Sequence, residues 1–160
     1  MDAADGLAEQ LGTCGSAMFD EPVGSVMQGQ TVLTAPPETL VRKAAELMAN
    51  KNVGAVMVIE NGRLVGIFTE RDIAFRVVAR GLDAEMTRLA DVMTPAPDTV
   101  DPDKPFGHAL LKMQEGGFRH LPVVHQGKVV GIVSARNAMD PALEEFAFEA
   151  RRREHYRDKG

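Results

Sequence analysis

Apolar positions along the chain follow two rhythms, and the rhythms recur in the same order twice. Leu40, Val41, Ala44, Leu47 and Met48 form a stripe at helical spacing, and Phe106, Ala109, Leu110 and Met113 repeat it at i, i+3, i+4 and i+7. Each stripe stops at a turn signal, Asn50–Asn52 in the first case and Gly116-Gly117 in the second. Two short β-runs then follow each helix. Val53–Ile59 and Arg63–Phe68 flank Asn61-Gly62, while Leu121–Val124 and Lys128–Val133 flank Gln126-Gly127. A two-residue connection with glycine second predicts a type I′ hairpin. A further helix is predicted after each hairpin, from Thr69 to about Arg80 and from Ser134 to about Met139. Short extended pieces, Thr31–Thr34 and its counterpart ending at Thr99, precede the first helices and are punctuated by Pro36, Pro37, Pro97 and Pro102.

The order is therefore β-α-β-β-α, twice, which predicts an α/β (α+β) fold built by duplication. Residues 44–73 and 109–138 align without a gap at a shift of 65, and eight of the 30 pairs are identical; ordinary composition gives roughly two. Gly62/Gly127, Val65/Val130, Gly66/Gly131, Ile67/Ile132 and Arg71/Arg136 are among them. Two copies of this length make a pair of small units rather than a solenoid. The units are expected at 23–80 and 89–139, joined by a linker at 81–88. Val23–Met27 opens the first and Leu89–Met93 the second, both through Val-Met. Residues 1–22 form a leader, mobile or partly helical: Leu7 and Leu11 share a face, but Gly6, Gly12 and Gly15 weaken any helix. Residues 140–160 are expected to form an amphipathic C-terminal helix and tail, with Asp140 as N-cap, Pro141 at N1, an apolar stripe of Leu143, Phe146, Ala147 and Ala150, and Arg151–Arg153 near its end.

Composition narrows the function. A chain of 160 residues, 44% hydrophobic, supplies an ordinary core, but one unit alone is marginal, so the copies are expected to bury surface against each other. A net charge of −5 argues against a general nucleic-acid surface. Cys14 is the only cysteine, so no intrachain disulfide and no cysteine metal cluster is expected. The absence of a long apolar run predicts no membrane span, and the acidic N-terminus (Asp2, Asp5, Glu9) no signal peptide; a cytoplasmic protein is expected. His120 and His125 lie five apart on a predicted strand, hence on opposite faces, and the nine methionines read as core filler.

The candidate chemistry lies in Gly66-Ile67-Phe68-Thr69-Glu70-Arg71-Asp72 and its copy Gly131-Ile132-Val133-Ser134-Ala135-Arg136-Asn137. A glycine late in the strand admits close approach, a hydroxyl opens the helix, and a carboxylate stands three residues on. Two acceptor oxygens suit a vicinal diol, and free N–H groups at a helix start favour phosphate. Thr69 with Asp72, and Ser134 with Asn137, equally fit a helix cap. Duplication copies caps as faithfully as ligand sites, so both readings stand at this point.

These motifs, with Ala55-Val56-Met57-Val58, His120-Leu121-Pro122-Val123-Val124 and the Val-Met openings, resemble the paired CBS-domain (Bateman) family over about residues 23–139. The resemblance implies two repeats related by a pseudo-twofold axis, homodimers, and two clefts for adenosine compounds: AMP, ADP, ATP, NAD(H) or S-adenosylmethionine. It implies that Asp72 holds the ribose diol, Thr69 sits beside sugar and phosphate, and Thr34 and Thr99 line the clefts near the base. Arg119 and His120, with Gly54 and Ala55 at the matching place in repeat one, stand where polar residues meet phosphate; Arg71 and Arg136 are further phosphate candidates. Repeat two departs from the pattern by carrying Asn137 in place of a carboxylate. Two unequal sites are therefore expected, the stronger around Asp72 and drawing on Arg119 and His120 across the axis.

The resulting expectation is a non-catalytic sensor of adenine nucleotides, without a metal, that acts on its own or an unidentified partner protein's conformation. A ligand-free dimeric scaffold is the alternative. Phosphate loops of the Walker type, dinucleotide fingerprints, nucleophile elbows and His/Cys metal clusters are missing from the sequence, which argues against an enzyme.

Overall fold

A computed structural model of the chain describes residues 18–138. The expected leader helix and C-terminal amphipathic helix fall almost wholly outside those residues. The elements are α1 (Val23–Val26), β1 (Thr34–Ala35), α2 (Val41–Lys51), β2 (Ala55–Glu60), β3 (Arg63–Thr69) and α3 (Glu70–Asp72), the last continued by a π-helical stretch at Ile73–Val78. Then come α4 (Leu89–Val92), β4 (Thr94–Pro95), α5 (Phe106–Gly116), β5 (His120–His125), β6 (Lys128–Ser134) and a 3-10 turn at Ala135–Ala138.

Helices α2 and α5 bury the predicted stripes, Val41, Ala44 and Met48 in one and Phe106, Ala109 and Met113 in the other. Their first N–H groups are satisfied from distant loops: Val41 donates to the Thr87 carbonyl at 2.9 Å and Phe106 to that of Glu21 at 2.7 Å. Both end on a left-handed residue, Asn52 (φ 52°) and Gly117 (φ 69°), at the sequence positions of the turn signals. The hairpins also form as expected. Both turn residues have positive φ, 50° and 76° at Asn61-Gly62 and 50° and 75° at Gln126-Gly127, as a type I′ turn requires.

The first sheet runs β1-β2-β3-β4, with β1 parallel to β2 and the other pairs antiparallel. The second is the β5-β6 hairpin, flanked by a parallel bridge between Val100 and Val123 that repeats the pairing of Ala35 with Val58.

The opening helices cross over. Val23 is fully buried in the core of repeat two, beside Phe106 and Leu121, whereas Leu89 and Val92 are buried in the core of repeat one, beside Phe68 and Val41. The backbone contacts match: Val23 donates to the Lys104 carbonyl (2.8 Å) and Gly24 to that of Pro102 (2.9 Å), while Leu89 donates to Thr39 (2.9 Å) and Ala90 to Pro37 (3.0 Å). Strand β4 follows α4 into the first sheet, pairing Thr94 with Ile67 and Pro95 with Gly66. Each unit, contiguous in sequence, therefore completes its core with the opening of the other. Full burial of a Val or Leu is worth about 1.5–3 kcal/mol, so this exchange ties the copies together.

The crossover gives the strand glycines a different purpose from the one expected. A Cβ on Gly66 would collide with the Met93 sulfur, and one on Gly131 with the Met27 sulfur. The close approach that these glycines permit is made by the methionines of the Val-Met openings. The helix expected over Thr69–Arg80 is also altered. After one α-turn it widens, with Ala79 donating to the Ala74 carbonyl at 2.9 Å, and ends at Val78. With this winding Arg76 reaches the Val92 carbonyl (3.1 Å) and so holds the end of the crossing helix.

Candidate functional site

Register brings the candidate residues together at one end of the strands. Ala55 pairs with Thr69 across β2-β3, and His120 with Ser134 across β5-β6. The chain crosses into each helix through equivalent bonds: Glu70 N–H donates to Gly54 O (3.1 Å) and Ala135 N–H to Arg119 O (2.9 Å). Each repeat thus has a mouth, Gly54, Ala55, Thr69 and Asp72 in the first and Arg119, His120, Ser134 and Asn137 in the second.

The mouths are capped from within. Asp72 Oδ2 accepts from Thr69 N–H (2.9 Å) and from its hydroxyl (3.1 Å), and Asp72 N–H faces Thr69 Oγ1 at 3.4 Å, a reciprocal capping box. Asn137 Oδ1 does the same for Ser134, accepting from its N–H (2.7 Å) and hydroxyl (3.2 Å). Asp72 and Asn137 are the buried polar residues of the described chain, 8% and 7% exposed. The cap needs one acceptor oxygen, which an acid and an amide supply alike. The copies differ at the remaining atom: Asp72 Oδ1 pairs with Arg76 Nε at 3.3 Å, whereas Asn137 has an NH₂ there. At the helix starts the N–H groups of Glu70, Asp72 and Ala135 have partners within the chain.

The two mouths adjoin. A methyl placed on Gly54 would lie 3.0 Å from His120 Nε2 and 3.1 Å from Glu70 Oε1, so both groups flank that glycine across the repeat boundary. Arg71 also spans the boundary, donating to the Gly117 carbonyl (3.1 Å), with its guanidinium 5.0 Å from the Phe75 ring centre. His120 is half-buried, and burial pushes its pKa below the usual histidine range; the Glu70 carboxylate opposes that shift and Arg119 adds to it. His120 is therefore neutral at neutral pH. Arg119 and Arg136 are exposed.

The two threonines lie further off. Thr34 pairs with Met57, two positions along β2 from Ala55, about 7 Å. Thr99 stands at the equivalent place beside β5, its carbonyl accepting from Lys112 Nζ (2.9 Å), and lines an open groove of about 730 Å³ at the opposite, hairpin-turn end with Arg63, Pro97 and Lys128. His125 pairs with Asp101 at 3.5 Å. Among the described residues no group of three or more His, Cys, Asp or Glu could hold a metal, and no helix is long and apolar enough to cross a membrane.

Sequence reasoning passed over Glu70, Arg76 and the two covering methionines. Glu70 had a signal, since its copy is Ala135; Arg76 and the methionines act through contacts that only the folded chain creates.

Two β-α-β-β-α units that exchange their opening helices, with a hydroxyl and an acid or amide at each helix mouth, define a tandem-repeat α/β module. The CBS domain profile matches residues 23–79 and 89–142, and the chain belongs to the CBS domain family. It is similar to the CBS domain-containing protein YhcV of Bacillus subtilis, 39% identical over 103 residues, which cover 64% of this chain and 73% of that protein. It is also similar to the meiotically up-regulated gene 70 protein of Schizosaccharomyces pombe, 39% identical over 126 residues, 72% of this chain but 17% of that protein. The chain thus spans about a fifth of the length of the first curated relatives it matches. Among solved structures, a CBS domain protein from Pyrobaculum aerophilum complexed with AMP superposes with a TM-score of 0.67 at 28% identity, covering 72% of this chain and 88% of that one.

Proposed function

We propose that this chain is a non-catalytic regulatory module whose paired mouths bind adenosine compounds of the AMP, ATP or NAD(H) class and transmit occupancy to its own or a partner protein's conformation. The observation that carries this reading is the meeting of the two mouths at the repeat junction, with Arg119 and His120 beside them, in a family with a solved member complexed with AMP. A ribose diol would engage Asp72 at Oδ1, the oxygen outside the cap, in exchange for the partly exposed Arg76. Arg119, Arg136 and Arg71 would serve phosphate, and Thr34 and Thr99 the base end. The exposed apolar side chains Phe75, Val78 and Met86 favour a homodimer, because they offer a face for a second copy.

A ligand shifts such a module only through its different affinity for two states. At AMP, ATP or NADH near 100 times its Kd, stabilisation of about 2.7 kcal/mol is expected, a melting shift of roughly 5–10 °C for a chain of this size. No shift with any of them at millimolar concentration would contradict the reading. One observation favours a second reading, a ligand-free dimeric scaffold: the Thr69/Asp72 and Ser134/Asn137 pairs are already satisfied as helix caps. The scaffold would dimerise by light scattering yet ignore every nucleotide.

A further inference from the structure

The copies differ at the mouths in a consistent direction. At the repeat shift of 65, Gly54 corresponds to Arg119, Glu70 to Ala135 and Asp72 to Asn137. Each exchange leaves the second mouth more positive by one charge. In the first mouth no cation is ion-paired with Glu70 among the described residues. Arg76 answers Asp72, and Arg71 is turned to the Gly117 carbonyl and the Phe75 ring. His120, beside Glu70, is neutral at neutral pH. Glu70 forms no ion pair among the described residues, and its carboxylate stands at Gly54, against the neighbouring repeat. Two N–H groups of the helix start, those of Glu70 and Asp72, are bonded to Gly54 O and Thr69 Oγ1. A phosphate arriving there meets the Glu70 carboxylate, which no cation holds in an ion pair among the described residues. At the second mouth Ala135 removes the acid, and Arg119 and Arg136 are exposed without ion pairs among the described residues.

We propose that Glu70 sorts ligands by charge: the mouth of Thr69 and Asp72 takes an adenosine compound of little negative charge, and the mouth of Ser134 and Asn137 takes the phosphate-bearing one. This rests on the adenosine-binding reading above and reverses its simplest corollary, that the acid-bearing mouth is the stronger nucleotide site. A carboxylate about 5 Å from a phosphate in a hydrated cleft changes affinity by about tenfold, and salt weakens the effect.

Equilibrium dialysis of the full chain with labelled ATP and labelled adenosine at low ionic strength tests it, with circular-dichroism melting to show that the variants fold. Wild type is expected to take up one ATP per chain. Glu70→Gln is expected to raise ATP affinity at the remaining mouth about tenfold, so that a second ATP is taken up. Ala135→Glu is expected to weaken the first ATP about tenfold. Two equivalent ATP sites in wild type, or ATP affinity indifferent to both charge changes while adenosine binds, would overturn the inference and leave the adenosine reading standing. Uptake of neither adenosine nor ATP by any of the three proteins would bring down that reading and the inference together.

Discussion

Gly66→Ala probes the crossover at its tightest point. Gly66 is buried on β3 between Val58 and Pro95, and an added Cβ would overlap the Met93 sulfur and lie 2.9 Å from its Cγ. Met93 packs against the core of repeat one, so it gives way only by disturbing that core. Overpacking of this kind costs about 1–3 kcal/mol, and replacing glycine in a strand returns roughly 0.5–1 kcal/mol. The net loss is about 0–2.5 kcal/mol, a fall in Tm of up to roughly 10 °C. Met93→Ala alone, at a half-buried site, costs about 1–2 kcal/mol, below the range for fully buried methionine. In the double variant the methyl occupies vacated space, so the losses do not add, and a coupling of at least about 1 kcal/mol is expected. Urea denaturation of the four proteins measures it, with unchanged m-values confirming a common unfolding transition. Additivity within about 0.5 kcal/mol would refute the argument that the glycine exists to admit the methionine. Gly131→Ala with Met27→Ala should behave alike, because the same collision recurs there.

Three further expectations follow from local geometry. Thr69→Ala removes the acceptor of the Asp72 N–H and a hydroxyl donor to the carboxylate, and should cost about 1 kcal/mol by denaturant titration. Gln126 holds a φ of 50° that asparagine tolerates better, as Asn61 does in the other hairpin, so Gln126→Asn should raise stability by roughly 0.5–1 kcal/mol in the same assay. His120 has its folded pKa pushed below the unfolded value, so the unfolded chain binds more protons on acidification: its contribution is fully present above about pH 6.5 and is lost as pH falls from there through the folded pKa. Melting curves between pH 7.5 and 5 should show His120→Gln declining less steeply than wild type over that window.

The parts of the fold legible in the sequence are those fixed by local chemistry. Asn61-Gly62 and Gln126-Gly127 dictate their turns, and Asn52 and Gly117 end their helices in the left-handed conformation. The apolar stripes of α2 and α5 point into cores wherever the cores lie. The crossover was not legible, because a four-residue helix such as Val23–Val26 has an apolar face but no mark of which core receives it. The π-winding after Asp72 was hidden for a related reason: Ile73 and Val77 fit an ordinary helical stripe, and the wider turn follows contacts that Arg76 makes with a distant segment. At the site, the spacing of Thr69 and Asp72 was legible as a pair, but a cap and a sugar clamp ask for the same spacing. The fold also supplied the role of Oδ1, which is held by Arg76.

The central claim is that Asp72 does more than close a helix. Asp72→Asn separates the two duties, because Asn137 already demonstrates that an amide oxygen makes this cap. Calorimetric titration of adenosine into wild type and Asp72→Asn is the most direct measurement. Saturable binding by wild type, weakened about tenfold or more in a variant that melts within a few degrees of it, is the predicted result. Equal affinity in the two proteins, or no heat from either, would contradict it.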